Sequence, residues 1–282
     1  KRRDILIQRS ASIPEYAALD LPDENLGKVD NSGLETTVNY RGTVNDLRYE
    51  VGFNLTYTRN KVVYLDEPAN VYDWQKIEGF PSASYLLYKT DGIFNSQEEI
   101  DATDAVLPGT QPGDIKYVDV SGDGEITGDD RYRRYASNIP DFQGALNFGL
   151  FYKRIGLDVL FTGQAGHVEN FYDFHHGVPF HKFKYDGRWT EENSNADFVR
   201  AHDAGDPINA RTSDYWLRNA SFIRLKNLEL SYTIPEIWEL SQVRLYVTGS
   251  NLWTLDHVKI SDPEGTNYPP LTTILFGVNL NF

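Results

Sequence analysis

Between Leu47 and Tyr57 every odd position is apolar or aromatic: Leu47, Tyr49, Val51, Phe53, Leu55 and Tyr57. Every even position is polar or small: Arg48, Glu50, Gly52, Asn54 and Thr56. A period of two sustained over this stretch is a β-strand with one apolar and one polar face. Its length is also that of a strand crossing the hydrocarbon of a bilayer at a tilt of ~45°. The final stretch, Thr272–Phe282, repeats the pattern, with Ile274, Phe276, Val278, Leu280 and Phe282 on one parity and Leu275, Gly277, Asn279 and Asn281 on the other. A strand of this kind needs an apolar medium or a core against one face.

More strands of the same kind are expected at Ile5–Ile7, Leu34–Tyr40, Phe142–Lys153, Leu157–Thr162, Phe222–Ile234 (ended by Pro235) and Val243–Trp253. The count is about eight. Their connections alternate between short (42–46, 154–156, 235–242) and long (about 8–32, 61–141, 167–218, 256–270). The long segment 61–141 also holds Ser96–Glu99, a capping-box pattern for one short helix. Short turns on one rim and long loops on the other is the layout of an outer-membrane β-barrel. The alternative is a soluble or surface-bound β-sandwich that binds carbohydrate or acts as an adhesin. Loops this long are unusual there. A barrel segment exposes the odd face of Leu47–Tyr57, whereas a sandwich buries it.

No apolar run reaches the ~18 residues of a membrane-spanning helix, which leaves strands as the way to span. The formal net charge of −14 argues against non-specific nucleic-acid binding. Cysteine is absent, so there is no thiol chemistry and no disulfide framework. The chain has no methionine and opens on KRRDILIQ, inside a strand-like run, so it is expected to be part of a longer or processed protein.

Several segments carry a family likeness: GDIKYVDVSGDGEITGDDR (113–131), SDYWLRNASFIRLKNLELSYTIP (213–235), YVTGSNLWTL (246–255) and the ending SDPEG…YPPLTTILFGVNLNF. GLETTVNYRG (33–42) and YKTDGIF (88–94) add to it. Together they resemble the C-terminal third of SusC/RagA-type TonB-dependent outer-membrane transporters. The likeness runs over nearly the whole chain, in the same order. It implies an all-β segment of a large transmembrane barrel, in the outer membrane of a Gram-negative cell of Bacteroidetes type, with 61–141 and 167–218 outside the cell. The implied function is import of large nutrients, oligosaccharides (glycans) or peptides. The implied partners are the remaining strands and plug of the same transporter, a SusD-like lid lipoprotein, TonB acting through the plug, and outer-membrane lipid.

Two constellations could carry binding chemistry. Asp119–Asp130 fits a twelve-residue Ca2+ loop. Asp119, Ser121 and Asp123 take positions 1, 3 and 5. Gly124 stands at the turn, and Glu125 would ligate through its carbonyl. Thr127 would act through water, and Asp130 would close the loop, though Asp is shorter than the usual Glu. The plainer reading is an acidic turn. The second is the aromatic run Tyr172, Phe174, Phe180, Phe183, Tyr185 and Trp189, which could stack on sugar rings or on a lid protein, or simply pack the loop on itself. His175, His176 and His181 lie in the same run without metal-site spacing. Arg48, Glu50, Asn54, Gln143, Asn147, Glu229 and Arg244 are expected on the polar inner wall. No nucleophile, zinc or P-loop motif is present, and nothing sets two carboxyls at the separation a glycosidase needs. No enzymatic activity is expected.

Overall fold

The structure, a computed structural model, describes residues 1–8, 23–68, 72–170, 182–202, 206–237, 240–258, 261–264 and 270–281. In chain order the strands are β1 (Arg2–Gln8), β2 (Asp23–Val44), β3 (Leu47–Tyr64), β4 (Leu86–Tyr88), β5 (Thr90–Ile93), β6 (Ile115–Tyr117), β7 (Arg131–Arg133), β8 (Phe142–Tyr152), β9 (Ile155–Ala165), β10 (Val168–Asn170), β11 (Leu217–Asn219), β12 (Phe222–Ile237), β13 (Leu240–Asp256) and β14 (Thr273–Asn281). Among the described residues there are also two short α-helices, α1 (Gln97–Asp101) and α2 (Lys182–Gly187), and two 3-10 turns, Gly128–Asp130 and Asp214–Trp216. Eight strands make one sheet in the order β1-β2-β3-β8-β9-β12-β13-β14, each beside its predecessor in the meander. The sheet is open at both ends, a partial barrel with long and short connections on alternate rims.

The described strands outrun the alternating stretches of the sequence. β2 begins at Asp23, inside the segment 8–32 expected as loop, because ladder bonds to β1 (Leu6↔Asn25, Ile7↔Glu24) hold polar residues extended. The turn after β2 is narrower than the 42–46 expected, only Asn45–Asp46, with Asn45 at φ 54°. Asn tolerates that region better than other side chains do. β3 runs to Tyr64 and trims the first insertion. Pro235 does not end β12, which pairs on through Pro235↔Gln242 to Ile237↔Leu240. The β9 ladder has stopped by then, at Tyr232↔Ile155, so the missing proline N–H interrupts nothing on that side.

The chain divides into two compact units. One, Ser32–Arg59 with Ile139–Val168 and Asn219–Phe282, carries most of the sheet. Its register puts Phe53, Leu146, Phe161 and Leu225 in one row across four strands, with Tyr49, Leu150, Leu157 and Leu230 in another. Among the described residues this face is apolar throughout and has no core against it: Phe276 is 81% exposed, Ile274 62% and Leu230 50%. None of Leu47, Tyr49, Val51, Phe53, Leu55 and Tyr57 is buried. That is the outcome expected of a barrel segment and not of a sandwich. Aromatic pairs stand toward both ends of the band, Tyr40 with Tyr49 (5.8 Å) and Tyr57 with Phe142 (4.8 Å).

The other unit, Lys1–Asn31 with Asn60–Asn138 and Glu169–Arg218, is built differently. The two long insertions, separated in sequence by β8 and β9, fold together as one loop body. Ala105, Leu107, Ile115, Tyr117 and Ile126 from the first pack with Val199, Ile208 and Trp216 from the second in a closed core. Burial of this kind stabilises at about 25 cal/mol per Å2 of apolar surface removed from water. Short ladders β4–β7 and β5–β6 frame it. The Ser96 helix forms where the capping pattern puts it. The Glu99 amide donates to Ser96 Oγ (3.3 Å), and Glu99 Oε2 accepts from the Asn95 amide (2.9 Å).

Candidate functional site

The polar face of the sheet is laid out in rows. Toward the long-connection rim the in-register row is Thr56, Gln143, Gln164 and Phe222. The next holds Asn54, Ala145, Thr162, Arg224 and Thr254. Toward the short-turn rim come Glu50, Gly149, Asp158, Glu229 and Thr248. All seven residues expected on the inner wall lie on this face. Glu229 accepts from the Arg244 guanidinium and from Thr248 Oγ1 (2.8 Å). The Arg48 guanidinium lies 4.4 Å from the Phe151 ring centroid. Glu50, Asp158, Glu229 and Arg244 thus lie toward the short-turn end, and carboxamides and hydroxyls, together with Arg224, toward the other.

One cluster on this face escaped the sequence reading. Arg224 is 1% exposed. Its Nη2 donates to Asp262 Oδ2 (2.6 Å), its Nη1 to Glu264 Oε2 (3.1 Å) and its Nε to Thr254 Oγ1 (3.1 Å). Lys226 Nζ reaches the other Glu264 oxygen at 3.5 Å. The arginine of FIRLKN therefore anchors the acidic pair of SDPEG, and with it the connection between β13 and β14. A signal was present in the sequence. The apolar parity is odd at Ile223 and Leu225 but even at Leu228 and Leu230. A bulge at Lys226 absorbs that slip, so Leu225 pairs Phe161 while Asn227 already pairs Leu160.

In the loop body Asp114 is fully buried. Its carboxylate accepts from Arg200 Nε (2.6 Å), Asn209 Nδ2 (2.6 Å) and the Gln111 amide (2.8 Å), which ties the two insertions together. Asp214 does the same for Thr90 Oγ1 and Tyr132 OH (2.9 Å). Burial and the Asp214 carboxylate push the Tyr132 phenol up to about 12, and burial raises Tyr117 and Tyr215 as well.

The Asp119–Asp130 segment is a turn closed by its own amides. Gly122 and Gly124 have φ of 75° and 86°, a region costly for other residues. Asp119 Oδ2 accepts from the Gly124 amide (2.9 Å) and Oδ1 from the Gly122 amide (2.6 Å) and Ser121 Oγ (3.1 Å). The Gly124 amide leads in holding this carboxyl below the usual carboxylate range. Asp130, fully buried, accepts from the amides of Val120, Ser121 and Thr127 at 2.7–2.9 Å. Asp123 accepts from the Glu125 amide (2.9 Å), and Ile126 is buried in the core. Among the described residues no three acidic or histidine side chains converge in the manner of a metal centre.

Of the aromatic run, Tyr172, Phe174 and Phe180, with the three histidines, lie outside the described residues. Phe183 packs on Phe198 with centroids 5.7 Å apart. Trp189 covers Gly113, where an added Cβ would come within 2.5 Å of the indole, so only glycine fits beneath it. Tyr185 is 56% exposed with the Arg188 guanidinium over its ring.

No family model matches the chain. Relatives were found by sequence. TonB-dependent receptor P3 of Formosa agariphila is 27% identical over all of this chain, and TonB-dependent receptor P26 of the same organism is 28% identical. TonB-dependent receptor SusC of Bacteroides thetaiotaomicron is 25% identical over 92% of it. By sequence the chain is similar to TonB-dependent receptors, SusC among them. It spans about a third of the length of these relatives, 31%, 32% and 27% of each. The fold agrees: the RagAB peptide importer in its open-open state superposes at a TM-score of 0.74, with 22% identity, over 99% of this chain and 31% of that one. A second RagAB structure gives 0.70. These relatives are receptors and importers, and none is named as an enzyme.

Proposed function

We propose that this chain is a section of an outer-membrane TonB-dependent importer of large nutrients. The observation that carries the reading is the unpartnered apolar face, continuous across the sheet and bordered by aromatic pairs, behind a polar face of amides and ion pairs. Lipid is the medium such a face requires. The kinship with TonB-dependent receptors supports the same reading. The remaining barrel, a plug and TonB would complete the transporter, and a SusD-like lipoprotein would cover its mouth. In that assembly the loop body lies outside the cell, and the cargo is oligosaccharide or peptide. Extraction of the protein from membranes in mild detergent, followed by mass analysis of what accompanies it, tests this. Recovery with the remaining barrel and a lipoprotein is expected. A monomer soluble without detergent would overturn the reading.

The Asp119–Asp130 loop is proposed to take a Ca2+ ion at the weak end of the range, about 10⁻⁴–10⁻³ M, as extracellular modules do. The support is the oxygen spacing and the turn geometry at Gly124. Calorimetry showing no heat with millimolar Ca2+ would leave the loop as a turn closed by its own amides.

A further inference from the structure

We propose that the polar face of the sheet carries, at its short-turn rim, a basic seat for an acidic segment of the transporter lying outside these 282 residues. The inference rests on the importer reading and names a partner within it. A cavity of about 440 Å3 opens there, bordered by Arg48, Lys153, Arg154 and Arg244 and by the hydroxyls of Ser231 and Thr233. That volume lies within the ~300–1,000 Å3 in which pockets enclose a ligand.

The fold builds the seat. Arg48 of β3, the β8–β9 turn with Lys153 and Arg154, and Arg244 of β13 share one rim because the meander sets its short turns there. An added Cβ at Gly156 would come within 2.6 Å of Ser231 Oγ and 3.1 Å of the Phe151 ring. The bare glycine lets Phe151 lean over it and carry the Arg48 guanidinium, 4.4 Å from its centroid.

Charge selects the occupant. The chain as a whole stands at −14, yet the lining sets four cations against one carboxylate, Asp46. Lys153 is engaged by Asp46 (3.7 Å) and Arg244 by Glu229. Among the described residues neither Arg48 nor Arg154 forms an ion pair. The acids of the next row are spent or set apart. Glu50 is held by Arg41 (3.2 Å), Glu229 by Arg244, and Asp158 lines a separate cavity of about 150 Å3. An arginine fork matches a carboxylate in bidentate fashion, so the two unpaired guanidinium groups call for added carboxylates. From β3 to β13 is four strand spacings of ~4.8 Å, about 19 Å, more than a single carboxylate covers. Several acids on one segment do cover it. In the importer reading this face is turned to the barrel interior. The chain spans only 31% and 32% of its relatives, so the remaining transporter is long enough to supply the segment.

The experiment uses the complete transporter, purified in detergent and treated with a water-soluble carbodiimide. The reagent activates a carboxylate, a lysine amine attacks it, an amide bond forms and the reagent leaves as its urea. Lys153, and the lysine introduced by Arg154→Lys, report what occupies the seat through mass mapping of the joined peptides. At least one amide to an Asp or Glu outside these 282 residues is expected. Arg48→Glu with Arg154→Glu should abolish the Lys153 link to that acid and open its segment to protease. Changing the linked acid to lysine in the same variant should restore protection. Arg48→Gln with Arg154→Gln serves where the reversed pair fails to assemble, and should lose the link as well. Amides confined to Asp46 and other acids of this chain overturn the proposal. So do an amide to a different protein, no amide at all, or protease protection unchanged by the variants. Membrane recovery of the assembly is scored separately: a chain found soluble without detergent sinks the importer reading itself, whereas an assembled transporter without the link sinks only the seat.

Discussion

In the loop body Trp216 and Ile115 are 2% and 1% exposed, while in the sheet Phe276 and Ile274 stand at 81% and 62%. Among the described residues only Ala220, Phe222 and Val258 of the sheet-bearing unit join the buried hydrophobic set. The two regions draw on the same side chains and use them in opposite ways. The loop body satisfies its apolar groups internally and ties its two insertions with buried polar bonds, as a water-soluble domain does. The sheet satisfies its backbone internally through the ladders and leaves its apolar groups for the surroundings. The first arrangement suits water, and the second suits the lipid proposed above.

The contrast can be broken at specific residues. The largest effect is expected in the loop body. Asp114→Ala leaves Arg200 and Asn209 without their shared acceptor, and removing one partner of a buried ion pair costs about 3–5 kcal/mol. Both insertions should become protease-sensitive while the sheet still assembles in membranes. If the sheet failed as well, the two regions would not be separable. On the apolar face, Leu230→Arg places a charge where lipid is proposed and should cost about 2–4 kcal/mol of membrane stability. Folded yield in membranes reads it. In water the same change at a half-exposed leucine would be nearly silent, and that result would favour a soluble protein. Arg224→Gln should cost less, about 1.5–3 kcal/mol for lost charge-assisted bonds, and should free the connection between β13 and β14 to proteolysis.

The smallest effect is on pH dependence. Tyr117, Tyr132 and Tyr215 have raised phenol pKa values in the folded loop body. An unfolded tyrosine releases its proton near pH ~10. The folded state then holds more protons than the unfolded one, so loop-body stability should decline as pH rises above ~10. Absorbance of phenolate at 295 nm (the measuring wavelength) should show these three rings titrating only as the body opens. Early titration alongside the exposed tyrosines would contradict their burial.

Period-two alternation was enough to find the eight sheet strands, the alternation of rims and the polar identity of the inner wall, because each depends on neighbours one and two residues apart. Element ends were less legible. β2 extends back to Asp23 and β12 passes through Pro235 because ladder partners far away in sequence hold them, and no local preference reports those partners. The parity slip at Lys226 was visible, but the pairing of Arg224 with Asp262 and Glu264 was not. The turn at Gly124 was legible in the sequence. The closure of Asp130 on the amides of Val120, Ser121 and Thr127 was not.

By itself, then, the sequence determined which side of each strand is apolar, since that follows from side-chain alternation alone. Only the tertiary structure decided that, among the described residues, this side has nothing packed on it, because burial depends on what the rest of the chain covers. It also decided that two insertions separated by a β-hairpin share one core. Asp114, Arg200 and Asn209 come from segments about ninety residues apart, and their pairing exists only once the chain has folded.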